Sequence, residues 1–162
     1  MIKQYYSKYF FILLIIGLIF SCSTEENKTA FVDKEIEDVF KRYVQYWSDG
    51  NYDKITEEVY ASPMAVYLQD SIIILNSKDE VKNYLISTFD ELERNNYGFS
   101  IRNKWDYFRK EKNIAYIEMH YTRFLKDSSV MQPKDRYSAY ILTREEDKFK
   151  ISALIPFTPV AK

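Results

Sequence analysis

Phe99-Ser100-Ile101-Arg102-Asn103-Lys104-Trp105-Asp106-Tyr107 and, one turn later, Ala115-Tyr116-Ile117-Glu118-Met119-His120-Tyr121-Thr122 alternate apolar and polar side chains. A period of two belongs to a β-strand with one wet and one dry face. On the first stretch Phe99, Ile101, Trp105 and Tyr107 share a face. On the second, Ala115, Ile117, Met119 and Tyr121 do so, with Glu118, His120 and Thr122 opposite. Lys110 to Asn113 is a charged turn between them. Lys126 to Lys134 is a longer polar loop, followed by a strand over residues 136–144. Glu145 to Lys148 turns again, and Phe149, Ile151, Ala153, Ile155 and Phe157 repeat the alternation. Neighbouring strands joined by short charged turns predict an antiparallel meander.

Upstream of the meander the period lengthens. Val32, Ile36, Val39, Phe40, Tyr43, Val44 and Trp47 trace one helical face, with acids crowded into the first turns where the helix dipole favours them. Asp49-Gly50-Asn51 stops this helix. Tyr52 to Tyr60 predicts a short second helix closed by Ser62-Pro63. Met64 to Gln69 and Ile72 to Leu75 read as a hairpin across Asp70-Ser71. Ser77-Lys78-Asp79-Glu80 is a capping box that opens a third helix running to about Arg94. Helices first and meander last make an α+β layer fold.

Further upstream the chain reads as an address. Residues 1–9 carry Lys3 and Lys8 and no acid, and Phe10 to Phe20 is an unbroken apolar run. This is the layout of an export signal, and the run is too short for a permanent membrane span. It ends Leu18-Ile19-Phe20-Ser21-Cys22, which resembles the lipobox of bacterial lipoproteins. The resemblance implies cleavage before Cys22 and acyl chains on its sulfur and its new amine, enough for stable anchoring. Cys22 is the single cysteine, so no internal disulfide is possible. Residues 1–21 are then the signal, 22–30 a polar tether, and 31–162 the domain. By resemblance to lipoprotein sorting, Ser23 after the cysteine implies the outer membrane. Glu25-Glu26 resembles a surface-display tag.

Composition excludes several classes. The chain has 162 residues, 23 basic and 24 acidic. Without the signal's two lysines the balance is 21 against 24, with no basic stripe for nucleic acid. With 15 Tyr and 11 Phe but 3 Gly, it carries no glycine-rich phosphate loop. One His and one Cys cannot build a zinc site, so no metal or cofactor is expected.

The order of elements over residues 31–157 resembles the nuclear transport factor 2-like fold, and within it the SnoaL-like branch, which includes relatives of ketosteroid isomerase and scytalone dehydratase. The local marks are Tyr46-Trp47-Ser48-Asp49-Gly50-Asn51-Tyr52-Asp53, the closing Val59-Tyr60, and Phe149-Lys150-Ile151 in the last strand. The resemblance implies a strongly curved, cone-shaped sheet packed on about three N-terminal helices, a pocket between them, and dimerisation through the sheet. In the isomerase branch a carboxylate base sits on the first strand. The matching position falls near Leu68, with Asp70 two residues on; Tyr43 matches that branch's oxyanion donor. His120 is the natural base near neutral pH, but alternation sets it opposite the apolar face. The residues placed on the pocket side are Asn103, Tyr107, Tyr121 and Arg123, with Tyr46, Trp47 and Tyr84 from the helices. A Tyr-rich cavity with one Arg suits a small apolar molecule bearing an acid group.

The expected function is therefore a lipid-anchored, non-catalytic domain that binds a small ligand or a protein partner. The alternative is a hydrolyase or isomerase with His120 or Asp70 as base. A ligand binder needs a cavity of roughly 300 Å³ or more. A filled core with an exposed aromatic sheet face favours the partner.

Overall fold

The computed structural model describes residues 33–157, apart from the side chains of residues 106–108. The export signal, Cys22 and the tether lie outside the described residues. Helix α1 spans Lys34–Ser48. Asp33 caps it by accepting from the Glu35 amide (2.9 Å). Ile36, Val39, Phe40, Tyr43 and Trp47 form its buried stripe. Asp49 closes it, and Gly50 follows at φ +65°, a conformation that glycine adopts without steric cost.

The predicted second helix is shorter than its periodicity suggested. Helix α2 covers only Tyr52–Lys54, a π-helical turn occupies Ile55–Val59, and Tyr60 already belongs to strand β1, Tyr60–Tyr67. Pro63, taken from the sequence as a stop, lies inside that strand. It sits between the paired positions Tyr60 and Ala65, in a bulge where no partner asks for its missing N–H. Strand β2, Ile72–Leu75, completes the hairpin. Helix α3, Lys78–Arg94, is capped by Ser77, whose hydroxyl accepts from the Glu80 amide. The Glu80 carboxylate reaches back one residue further than the usual box, to the Asn76 amide (2.9 Å).

The meander follows as β3 (Tyr97–Lys110), β4 (Ile114–Leu125), β5 (Arg136–Glu145) and β6 (Lys148–Phe157). One sheet of six strands results, in the order β2-β1-β6-β5-β4-β3. The hairpin joins it through a parallel pairing of β1 with β6, while its other neighbours run antiparallel.

The core fills the space between the sheet's inner face and the helices. Phe40 and Ile36 from α1 meet Leu85 from α3 and Ile117, Leu142 and Ile151 from the sheet, all fully buried. Each such side chain contributes about 1.5–3 kcal/mol by leaving water. Phe40 stands edge-on to Trp105 and Tyr140 at centroid distances of 4.9 and 5.0 Å. Ion pairs fasten the first turn of α1 to the sheet. Arg144 on β5 donates both terminal nitrogens to Glu35 (3.0 and 2.9 Å), and Lys110 on β3 meets Asp33 at 2.9 Å.

Strand β3 departs from simple alternation. Arg102 pairs with Tyr121 but Lys104 pairs with His120, so Asn103 is an extra residue. Residues before and after it switch faces. Ser100 and Arg102 face the helices, whereas Ile101, expected in the dry row, is 47% exposed. Trp105 returns to the inner side, opposite buried Met119.

Candidate functional site

A partly enclosed cavity lies between α1, α3 and the inner face of β3–β6. Tyr43 and Trp47 come from α1, Tyr84 and Thr88 from α3, and Tyr121, Arg123, Arg102 and Tyr140 from the sheet. Its volume is about 100 Å³. That falls below the roughly 300 Å³ of an ordinary ligand pocket, because four Tyr and a Trp occupy most of the cone. Two further clefts measure about 370 and 520 Å³; the second is walled by Lys, Arg and Glu.

The sequence-selected residues divide as follows. Tyr43, Trp47, Tyr84, Tyr121 and Arg123 line the cavity together. Asn103 does not: as the bulged residue it is exposed, and its amide donates to the Thr122 hydroxyl (2.9 Å). Tyr46 is absent from the wall, and its hydroxyl donates to Glu58 (2.7 Å). The backbone of Tyr107 pairs with Glu118 past a third register shift of β3, and its side chain lies outside the described residues. Arg102, Tyr140 and Ser138 were missed. Arg102 was hidden by the bulge, whereas Ser138 and Tyr140 stand at the alternating positions of β5 and were open to the same reading as Tyr121.

Neither candidate base reaches the cavity. Asp70 is exposed in the bend between β1 and β2, and Leu68 is 41% exposed beside it. His120 lies on the outer face, stacked on Tyr137 at 5.2 Å. No carboxylate or imidazole appears among the lining residues. Among the described residues, no cluster of His, Cys, Asp or Glu is arranged to hold a metal ion.

The cavity's hydroxyls are therefore donors and acceptors of hydrogen bonds. Tyr43 and Tyr60 share one at 3.3 Å. Burial pushes Tyr43, Tyr60 and Tyr140 well above the ordinary phenol value, so all three stay neutral at physiological pH. A neutral phenol can polarise a carbonyl, but it cannot take up a proton as a base.

Two charges enter the wall, both cationic. Arg102 donates to Glu37 at 2.6 Å, and Trp105 donates to the same carboxylate at 3.0 Å. The Arg123 side chain makes no hydrogen bond or ion pair among the described residues. Its guanidinium lies 5.7–5.9 Å from the ring centroids of Trp47, Tyr97 and Tyr121, within cation–π range.

Comparison with known proteins agrees with this architecture. The family model described as NTF2-like protein (DUF6841) matches residues 34–159. Among curated proteins, none matches the chain. Solved structures with similar backbones include a protein of unknown function from Mycobacterium tuberculosis (TM-score 0.60, 10% identity, 76% of this chain and 73% of that one). Another is an NTF2-like protein with a cystatin-like fold from Novosphingobium aromaticivorans (0.60, 10%, 76% and 79%). A third is a domain of unknown function with a cystatin-like fold from Nostoc punctiforme (0.59, 13%, 86% and 81%). At these identities the likeness speaks for the fold alone.

Proposed function

The chain belongs to the family of NTF2-like proteins described as DUF6841, and from that premise we propose that it is a lipid-anchored cell-envelope protein whose SnoaL-like domain binds a small molecule without transforming it. The observation that carries the binding half is the cavity's composition. Its wall is aromatic, holds a guanidinium whose buried Nε has no hydrogen-bond partner among the described residues, and lacks any carboxylate or imidazole. Such a wall can orient and hold a ligand but offers no carboxylate or imidazole to take up a proton as a base. The enzyme reading with His120 or Asp70 as base loses its ground, since both stand away from the cavity. At about 100 Å³ the ligand's enclosed part is limited to a few heavy atoms.

The anchoring half is supported by the run from Lys3 to Cys22 and by the polar tether behind it. Cys22→Ala tests it: the variant leaves the membrane fraction, whereas a variant that stays bound removes the anchor. Ser23, by its resemblance to lipoprotein sorting signals, supports the outer membrane as the destination. Native mass spectrometry of the protein purified from its own host tests the binding half. A co-purifying small molecule is the expected result, and a clean apo mass speaks against it.

A second reading is favoured by the sheet's outer face. Phe99 stacks on Phe124 at 4.8 Å, and His120, Tyr137 and Phe157 form a stacked row across β4, β5 and β6. Ile101, Tyr137 and Phe157 remain substantially exposed there. Such a face suits a protein partner, including a second copy of this chain.

A further inference from the structure

Among the described residues, the buried side-chain nitrogens or oxygens without a hydrogen-bond partner are Arg102 Nη1, Arg123 Nε and Arg136 Nε. All three are guanidinium donors, and the sheet register brings them together. Arg102 on β3 and Arg136 on β5 both pair with Tyr121 of β4, whose side chain faces the cavity. Arg123 is the next residue of β4 on that same face. Arg102 and Arg123 thus line one end of the cavity, and Arg136 stands beside them on the same sheet face without lining it.

Their charges are unequally answered. Glu37 neutralises Arg102. Arg136 donates one nitrogen to the Gln132 carbonyl (2.6 Å), and Arg123 meets only ring faces. Neither has a carboxylate partner among the described residues. Burial, and then the neighbouring charge of Arg123, pull Arg136 below the ordinary guanidinium value. Aromatic faces attract a cation but accept none of its in-plane N–H bonds. A buried donor left unmade is costly, and two like charges side by side add repulsion. An oxyanion would relieve both at once.

The rest of the wall defines what that oxyanion is attached to. Trp47, Tyr84, Met119, Tyr140 and Leu154 are apolar or present ring faces. A dry cavity of about 150 Å³ is enough to take benzene, so about 100 Å³ takes a body smaller than that ring, such as a short chain. A planar carboxylate also matches the planar guanidinium fork, where a compact ammonium would not.

We propose that the cavity takes a short-chain carboxylic acid as its carboxylate, with the oxygens on Arg123, where the neighbouring charge of Arg136 adds to the attraction, and the apolar chain against Trp47 and Tyr84. This rests on the small-molecule reading above and names its ligand class. Arg102 holds the far side of the site through Glu37 and is a positioning residue.

The test is calorimetric titration of the full chain in detergent with butyrate, butyramide and inorganic phosphate, on the unmodified protein and on Arg123→Gln. Butyramide keeps the chain and planar head but lacks the charge; phosphate has charge but no apolar body. Butyrate is expected to bind about tenfold or more tightly than either, since charged hydrogen bonds are roughly twice as strong as neutral ones. Arg123→Gln removes that advantage, so that butyrate binds no better than butyramide. If butyramide binds as well as butyrate to the unmodified protein, the carboxylate assignment is overturned and the small-molecule reading survives. Equal binding of phosphate overturns the apolar body. Binding of none of the three overturns both. Should Arg123→Gln fail to fold, the three-ligand series on the unmodified protein decides alone, with Arg136→Gln as the second variant.

Discussion

Gly98 shows how a single backbone position is fixed by its neighbour. A methyl group added there would stand 2.7 Å from the Leu125 carbonyl oxygen, which belongs to a paired strand and cannot step aside. Gly98→Ala is therefore expected to cost about 1–3 kcal/mol, the range for forced overpacking. A denaturant midpoint unchanged from the parent would show that the two strands give way there. Glu37 carries a different kind of constraint. The Arg102 hydrogen bond, opposed by burial, holds its carboxyl below the ordinary value of 4.5. Its stabilising contribution is thus complete above that value and is lost as pH falls through the lowered folded value. Melting temperature should drop more steeply below pH 4.5 in the parent than in Glu37→Gln. Parallel curves would mean that the Arg102 and Trp105 bonds do not discriminate the charged form.

Elements, by contrast, carry their information in patterns, and patterns fail where an extra residue enters. The four meander strands and their turns follow directly from period-two alternation, and α1 and α3 from the 3.6 period. Tyr121 and Arg123 were legible as cavity residues because β4 has no bulge in that stretch. Asn103 was misplaced, and Arg102 overlooked, because alternation counts residues and cannot see which one is unpaired. The early end of the second helix had the same origin: Ile55 and Val59 suit a helical face, yet a π-helical turn hands the chain to β1 at Tyr60. The tight turn between β5 and β6 makes its own prediction. Glu146 and Asp147 both adopt positive φ, 46° and 63°, as a two-residue hairpin demands. Asp tolerates that conformation, but Glu does not, and its cost is roughly 1–2 kcal/mol for an ordinary residue. Replacing the pair by Asn-Gly should raise stability by about 1 kcal/mol, read from thermal melts. No gain would mean that the Asp147 carboxylate, close to Arg144, compensates for the backbone.

At the scale of the whole molecule the sheet has two unlike faces. The inner one is spent on the core and the cavity; the outer one keeps Ile72, Ile74, Ile101, Tyr137 and Phe157 in solvent. If that face covers itself with a second copy, Tyr137→Glu should shift sedimentation from dimer to monomer while leaving the far-ultraviolet dichroism unchanged. A parent protein that is monomeric at high micromolar concentration would exclude self-association and leave a different partner. Six strands on three helical segments were readable as a layer fold. The parallel seam between β1 and β6 was not, since no local pattern announces a partner so distant in sequence.

That seam also orders events in time. Tyr60 pairs with Ile151, Ala65 with Ala153 and Val66 with Leu154, so the hairpin has no neighbour in the sheet until the last strand exists. Long-range pairing of this kind forms late. During synthesis from the N-terminus the hairpin and both long helices emerge first, yet they must wait with apolar surface uncovered. A chain that closes only with its last strand, Lys148–Phe157, remains threadable until that strand arrives, which is the condition a passage through a narrow pore imposes.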